Sequence, residues 1–274
     1  MPSRLLLCGA DVLLSALSVL CVPSLFGQQA LQGWDVSSQT AAIVLDAVDE
    51  SKGSVPAFTF RNASQRIVAA FAVSFGPDNR LFADFFDTEK GGLAPGEVHT
   101  ARVGFAGPRS LEISAVLFDD GTGEGSKREI NRIRYNQFGQ LIETERLNRI
   151  FQRVAAVSVS DTDVASLEQQ VGELPASIED LSKTFGTADD LGFSAVEQAK
   201  RQPAYERGGL LTGVHGERSQ ALRYLAELRA LSPASGDKST MTRGVSVSRQ
   251  RAWYQASSAR RSALRTQIRQ GASQ

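Results

Sequence analysis

The chain has 274 residues, 42% hydrophobic and 22% charged, with 30 basic and 30 acidic side chains and a formal net charge of zero. This is the composition of a soluble globular protein, so overall charge gives no guide to a partner. Its two cysteines, Cys8 and Cys21, both fall in the first thirty residues, and a chain cleaved after them has no disulfide framework and must be stable through burial alone.

Residues 1–29 read as a secretory signal peptide. Arg4 supplies the basic start, residues 12–22 a short apolar core, and residues 23–29 a small and polar exit. The core is too short to span a bilayer. Leu20 precedes Cys21 where a lipoprotein signal has a small residue, so no lipid anchor is expected and the mature chain is read without a transmembrane helix. The expected destination is the periplasm or the extracellular space.

Residues 33–122 carry strand-length apolar runs at 41–45, 57–60, 67–75, 81–86, 98–105 and 111–118. Gly, Pro, Asn and Asp separate them, as at residues 76–79, 91–92, 95–96 and 107–108. Short Phe- and Val-rich runs with such punctuation predict an antiparallel, immunoglobulin-like (Ig-like) β-sandwich. The run 67–75 is apolar on both faces, which predicts a central strand covered on each side.

The hydrophobic period changes at Ser126. Ser126 and Glu129 form a capping-box pattern ahead of Ile130 and Ile133, so a helix is expected to start there, with a kink or break at Gly139. Shorter helical patterns follow at Val164, Leu167, Val171 and Leu174, and at Ile178, Leu181 and Phe185. Ser194 and Glu197 repeat the capping pattern, and Pro203 with Gly208-Gly209 is expected to divide the last helical part. Residues 126–231 are thus predicted to be a helical domain, making the chain an α+β protein.

Residues 232–274 hold eight basic residues and one acidic one, a net of +7 against −7 for the rest. Large apolar residues are scarce, which predicts a disordered basic tail. It has room for a short helix over about 249–270, with Ala252, Ala256, Ala259 and Ala263 on one stripe beside Leu264. Arg249, Arg251, Trp253, Tyr254, Arg260, Arg261, Arg265 and Arg269 are its candidate partner-binding residues, because cations interleaved with aromatics suit anionic surfaces. In an exported protein the expected partner is an envelope protein or an anionic polymer or lipid surface, not a specific nucleic acid. The alternative is a solvated tail resting against the acidic body.

Catalytic chemistry is sparse. His99 sits in a strand-like stretch, His215 has no second ligand at metal spacing, and no Gly-x-Ser-x-Gly occurs. Ser235 and Lys238 match Ser-x-x-Lys, but within a Pro- and Gly-containing stretch without companion motifs. Residues 119–125 suggest a calcium loop, yet its twelfth position is Asn131 where a bidentate Glu is required. A turn ending in a helix cap explains the same residues. No catalytic residue, metal or cofactor is assigned.

Phe-rich strands followed by Asp119-Asp120-Gly121-Thr122-Gly123-Glu124-Gly125 and a charged helix resemble a group of uncharacterised secreted bacterial proteins. The likeness covers about residues 34–157. It implies an Ig-like sandwich with a helical extension and no assigned activity. The functional expectation is a non-enzymatic interaction or structural protein of the cell envelope. The alternative is a hydrolase using carboxylates at strand ends, nominally Asp84, Asp87 and Asp119.

Overall fold

Each strand-length run becomes a strand, and the computed structural model describes residues 33–50, 55–76, 79–85, 91–104, 109–154, 158–175, 177–185, 191–231 and 236–272. The expected signal peptide and both cysteines lie outside the described residues. In chain order the strands are β1 (Asp35–Ser38), β2 (Ile43–Asp49), β3 (Ala57–Asn62), β4 (Val68–Phe75), β5 (Asn79–Asp84), β6 (Val98–Arg102), β7 (Ser110–Phe118) and β8 (Gly123–Gly125). They make two sheets, β2-β3-β6 and β1-β7-β4-β5, with β8 added to β7. All pairs are antiparallel except β1 with β7. Because β4 occupies one edge of β7, β1 covers the first half of the other edge and β8 the second.

The sheets enclose a shared apolar core. Phe58 and Phe60 of β3 meet Phe71 and Phe75 of β4, and Trp34 packs edge-on to Phe58 at 5.0 Å between ring centroids. Strand β4 is central, as predicted, and buried on both faces. Phe71, Val73 and Phe75 point into the inter-sheet core, whereas Ala70 and Ala72 face Ile130 and Ile133 of the first helix. Alanines on that face let a helix approach the sheet closely.

Seven helices are found among the described residues: α1 (Lys127–Phe151), α2 (Asp161–Gly172), α3 (Ile178–Thr184), α4 (Leu191–Lys200), α5 (Ala204–Ala230), α6 (Gly236–Arg260) and α7 (Ser262–Ala272). The fold is mixed α+β, and no helix among the described residues is long and apolar enough to cross a membrane. Helix α1 starts where predicted, with Ser126 Oγ accepting from the Glu129 amide. The box is only half formed, because the Glu129 carboxylate turns to Tyr205. Ser194 caps nothing: α4 begins at Leu191 and Ser194 is buried within it.

The glycines expected to break helices instead bring two of them together. Helix α1 runs straight through Gly139, and α5 runs unbroken from Ala204, after Pro203, to Ala230. A Cβ on Gly139 would lie 2.0 Å from the Leu210 carbonyl oxygen, one on Gly213 2.0 Å from that of Asn136, and one on Gly209 2.3 Å from that of Arg132. Backbone thus meets backbone at three successive levels, and the closeness of the crossing requires hydrogen in place of a side chain.

The disordered-tail expectation is corrected for residues 236–272, which form α6 and α7 and pack on the body. Val247, Tyr254, Leu264 and Ile268 are fully or almost fully buried. The anticipated alanine stripe is also wrong: Ala252, Ala256, Ala259 and Ala263 face solvent. The buried stripe is Arg243, Val247, Arg251, Tyr254, Ser258, Arg261, Arg265 and Ile268, at steps of three and four with Arg251 and Arg265 only half-buried. Half of it is arginine, which hides it from a reading based on apolar periodicity.

The crossing generates a paired prediction. Gly213→Ala should destabilise the protein by about 2 kcal/mol or more through overpacking. Gly216→Ala, on the same helix with open space at its Cβ, should stabilise it by up to about 1 kcal/mol through helix propensity. Chemical denaturation of both variants checks the sign of each change.

Candidate functional site

Where β7 leaves the sheet, the chain must turn sharply before α1, and Gly121 supplies the turn with φ of +81°. Asp120 closes it. Its Oδ1 accepts from the Thr122 amide at 2.9 Å and the Thr122 hydroxyl at 2.8 Å, while Oδ2 accepts from Arg66 Nη2 at 2.6 Å. The Thr122 amide and hydroxyl, then Arg66, hold the Asp120 carboxyl below its ordinary range. The Arg66 guanidinium lies 3.7 Å over the Phe118 ring, fixing the turn against the end of β7.

Helix α1 grips the same turn, since Arg134 Nη2 donates to the Gly121 carbonyl at 2.7 Å. Behind this contact a cavity of about 540 Å³ opens between the turn, α1, α4 and α7. Asn131, Arg134, Tyr135 and Phe138 line it from α1, Gln198 from α4 and Gln267 from α7. Tyr135 and Phe138 pack edge to face at 5.6 Å, and burial raises the Tyr135 phenol above its ordinary range, so it stays protonated. The lining thus offers amides and an aromatic wall beside one carboxylate, Asp120, held by Thr122 and Arg66; its single guanidinium is held by a backbone carbonyl, and Gln198 Nε2 donates to the Ile268 carbonyl. Such a surface suits a neutral polar ligand, with hydrogen bonds from amides and ring faces against apolar edges.

The sequence-predicted tail residues are not gathered there. Arg251 Nε donates to the Phe151 carbonyl at 2.7 Å and its Nη2 to that of Val154, so this side chain caps the C-terminal end of α1. Trp253 packs on Tyr254 at 5.2 Å, and Tyr254 is buried against Phe151, its phenol pushed up mainly by burial. Arg261 is 1% exposed, with Nη1 donating to Gln140 at 2.6 Å, and Arg265 pairs with Glu145 at 2.7 Å. Arg249 and Arg269 face outward and Arg260 is half-buried.

Two more arginines do what Arg251 does. Arg243 donates from Nε to the Leu228 carbonyl at 3.0 Å and from Nη2 to the Leu231 carbonyl at 2.8 Å, closing α5, and pairs with Asp161 at 2.7 Å. Arg218 donates to the Leu174 and Pro175 carbonyls, each at 2.7 Å, just beyond α2. It also bonds the fully buried Glu143, which binds Arg146 on its other oxygen at 2.9 Å. No local sequence pattern announces these caps, because donor and carbonyl are far apart in the chain.

The remaining candidates are scattered. His99 is half-buried on β6, its ring edge-on to Phe85 at 5.0 Å, and burial lowers its pKa. His215 is exposed on α5. Asp84 is half-buried at the end of β5, Asp119 is exposed after β7, and Asp87 lies outside the described residues. The carboxylates offered for calcium are engaged, Asp120 as above and Glu124 by the Thr40 hydroxyl at 3.0 Å. Among the described residues no group of three or more His, Cys, Asp and Glu is placed to hold a metal ion. No protein-family model, no curated protein and no solved structure matches the chain.

The lowered pKa of His99 predicts a pH dependence. The unfolded chain takes up a proton near pH 6.5 and the folded one only at lower pH, so His99 contributes stability above that value and loses it as pH falls towards the folded pKa. His99→Gln should flatten the fall in stability below about pH 6.5, read as denaturation midpoints across a pH series.

Proposed function

We propose that this protein is a non-enzymatic interaction or structural protein of the cell envelope, exported by residues 1–29 and built as an Ig-like sandwich docked on a helical body. Support for the Ig-like assignment comes from strand order. Taken from β2 onward, the sheets run β2-β3-β6 and β5-β4-β7-β8, the order A-B-E and C′-C-F-G of that architecture.

The observation that carries the binding reading is the cleft at the turn. Three primary amides and two aromatic rings line it, and it contains neither a histidine nor a pair of carboxylates. Glycoside hydrolysis uses a pair of carboxylates flanking the scissile bond, and this lining holds one, Asp120. Recognition of a neutral polar group, as in a glycan or a peptide backbone, requires what it does supply. Arg251, Arg261 and Arg265 of the tail are engaged within the fold, which favours the cleft as the ligand seat.

The test is affinity capture from envelope extract with the full exported chain and with an Asn131→Leu, Gln267→Leu variant. The expected result is a partner captured by the parent and reduced at least about tenfold in the variant, at unchanged thermal midpoint. Turnover of an envelope polymer that disappears in Asp84→Asn or Asp119→Asn, with folding intact, would replace this reading with the hydrolase.

A further inference from the structure

We propose that the protein binds a phosphate-class oxyanion at a three-arginine cluster where β5, the start of α1 and the start of α5 meet, separate from the cleft. The guanidinium carbons of Arg128, Arg132 and Arg80 lie 3.8, 4.3 and 4.7 Å from the centroid of one ring, that of Tyr205. Arg132 also stands 5.1 Å over Phe82 of β5. All three cations therefore gather around one ring.

One carboxylate answers them. Glu129 accepts the Tyr205 hydroxyl on both oxygens, at 2.6 and 2.8 Å, and reaches only Arg80, at 3.5 Å. Among the described residues, the ion pair of the cluster is that of Arg80 with Glu129, and none joins Arg128 or Arg132 to a carboxylate. The Nε of Arg132 is buried with no hydrogen-bond partner. Burial, then Arg80, disfavour the charge on Arg132, with Glu129 opposing and Arg128 adding to the repulsion. Among the described residues, three cations gathered on one ring with one ion-paired carboxylate leave positive charge in excess at this junction.

The geometry suits an oxyanion. A guanidinium stacked on a ring keeps its in-plane N–H edges free, and those edges match the paired oxygens of a phosphate. Arg128 lies in the first turn of α1 and Tyr205 in that of α5, so the positive ends of two helix dipoles add to the field. Leucines would fill the same junction between sheet and helices without the mutual repulsion, and a bound phosphate-class anion would offset it.

The test is calorimetric titration of the full chain with inorganic pyrophosphate at low ionic strength. The expected result is saturable binding that falls at least about tenfold in Arg128→Ala and weakens as salt is raised. Glu129→Gln removes the competing carboxylate and should tighten binding several-fold. Arg128 is exposed, so its variant should keep the parent thermal midpoint and decides the matter even if Glu129→Gln fails to fold. Absence of saturable heat with the parent chain, or equal affinity in Arg128→Ala, would overturn the proposal.

Discussion

Two helix backbones in direct contact organise this molecule. Where α1 and α5 cross, Gly139, Gly209 and Gly213 stand 2.0 to 2.3 Å, measured from an ideal Cβ position, from carbonyl oxygens of the opposite helix. Any larger residue there would push the helices apart. That contact sets the positions of everything attached to α1. The first turns of α1 lay Ile130 and Ile133 on Ala70 and Ala72 of β4, its middle joins Leu210 and Val214 of α5 in one core, and its last turn meets Leu225 and Tyr254 in another. The sheets and the helices are thereby held by a single rod, and the cleft and the arginine cluster occupy two of its faces near the N-terminal end.

The second organising device is the use of arginine at helix ends. The last carbonyls of a helix have no intrahelical partner and carry the negative end of its dipole. Arg251 and Arg243 satisfy those of α1 and α5, and Arg218 those of Leu174 and Pro175 just past α2. The charge split between a basic C-terminal segment and an acidic body follows from the same arrangement, because Arg243, Arg261 and Arg265 meet Asp161, Glu217 and Glu145. Glu143, fully buried between Arg146 and Arg218, depends on both partners, because removing either would leave its charge poorly compensated. Charge in this chain holds helices together, and the cluster at Tyr205 stands out because its cations exceed its anions.

Legibility of the fold followed the range of the interactions. The strands were readable because their apolar runs and turn residues are local signals, and β4 announced its double burial by being apolar at every position but Ser74. Ser126 was readable as a cap because donor and acceptor lie three residues apart. The crossing was misread, since a glycine within a helix is a weak point by propensity and becomes an asset only against a partner far away in the chain. The C-terminal helices were misread because their buried stripe is half arginine, and a scarcity of large apolar residues suggests disorder when the carbonyls awaiting those arginines are unseen. Strand β1 is largely polar and β8 is glycine-rich, and both exist only as additions to β7. Of the cleft, the turn at residues 119–125 was visible; its walls come from three helices that only the tertiary fold assembles.

The unity of this fold, with the C-terminal segment as an internal part of the helical body, is tested most directly by amide hydrogen exchange on the full chain. Amides of α1 and α5 around Gly139 and Gly213 should exchange only through global opening, and those of α6 and α7 between Val247 and Ile268 should be protected by orders of magnitude over an unstructured chain. Exchange of α6 and α7 at unstructured rates, with α1 and α5 still protected, would contradict it.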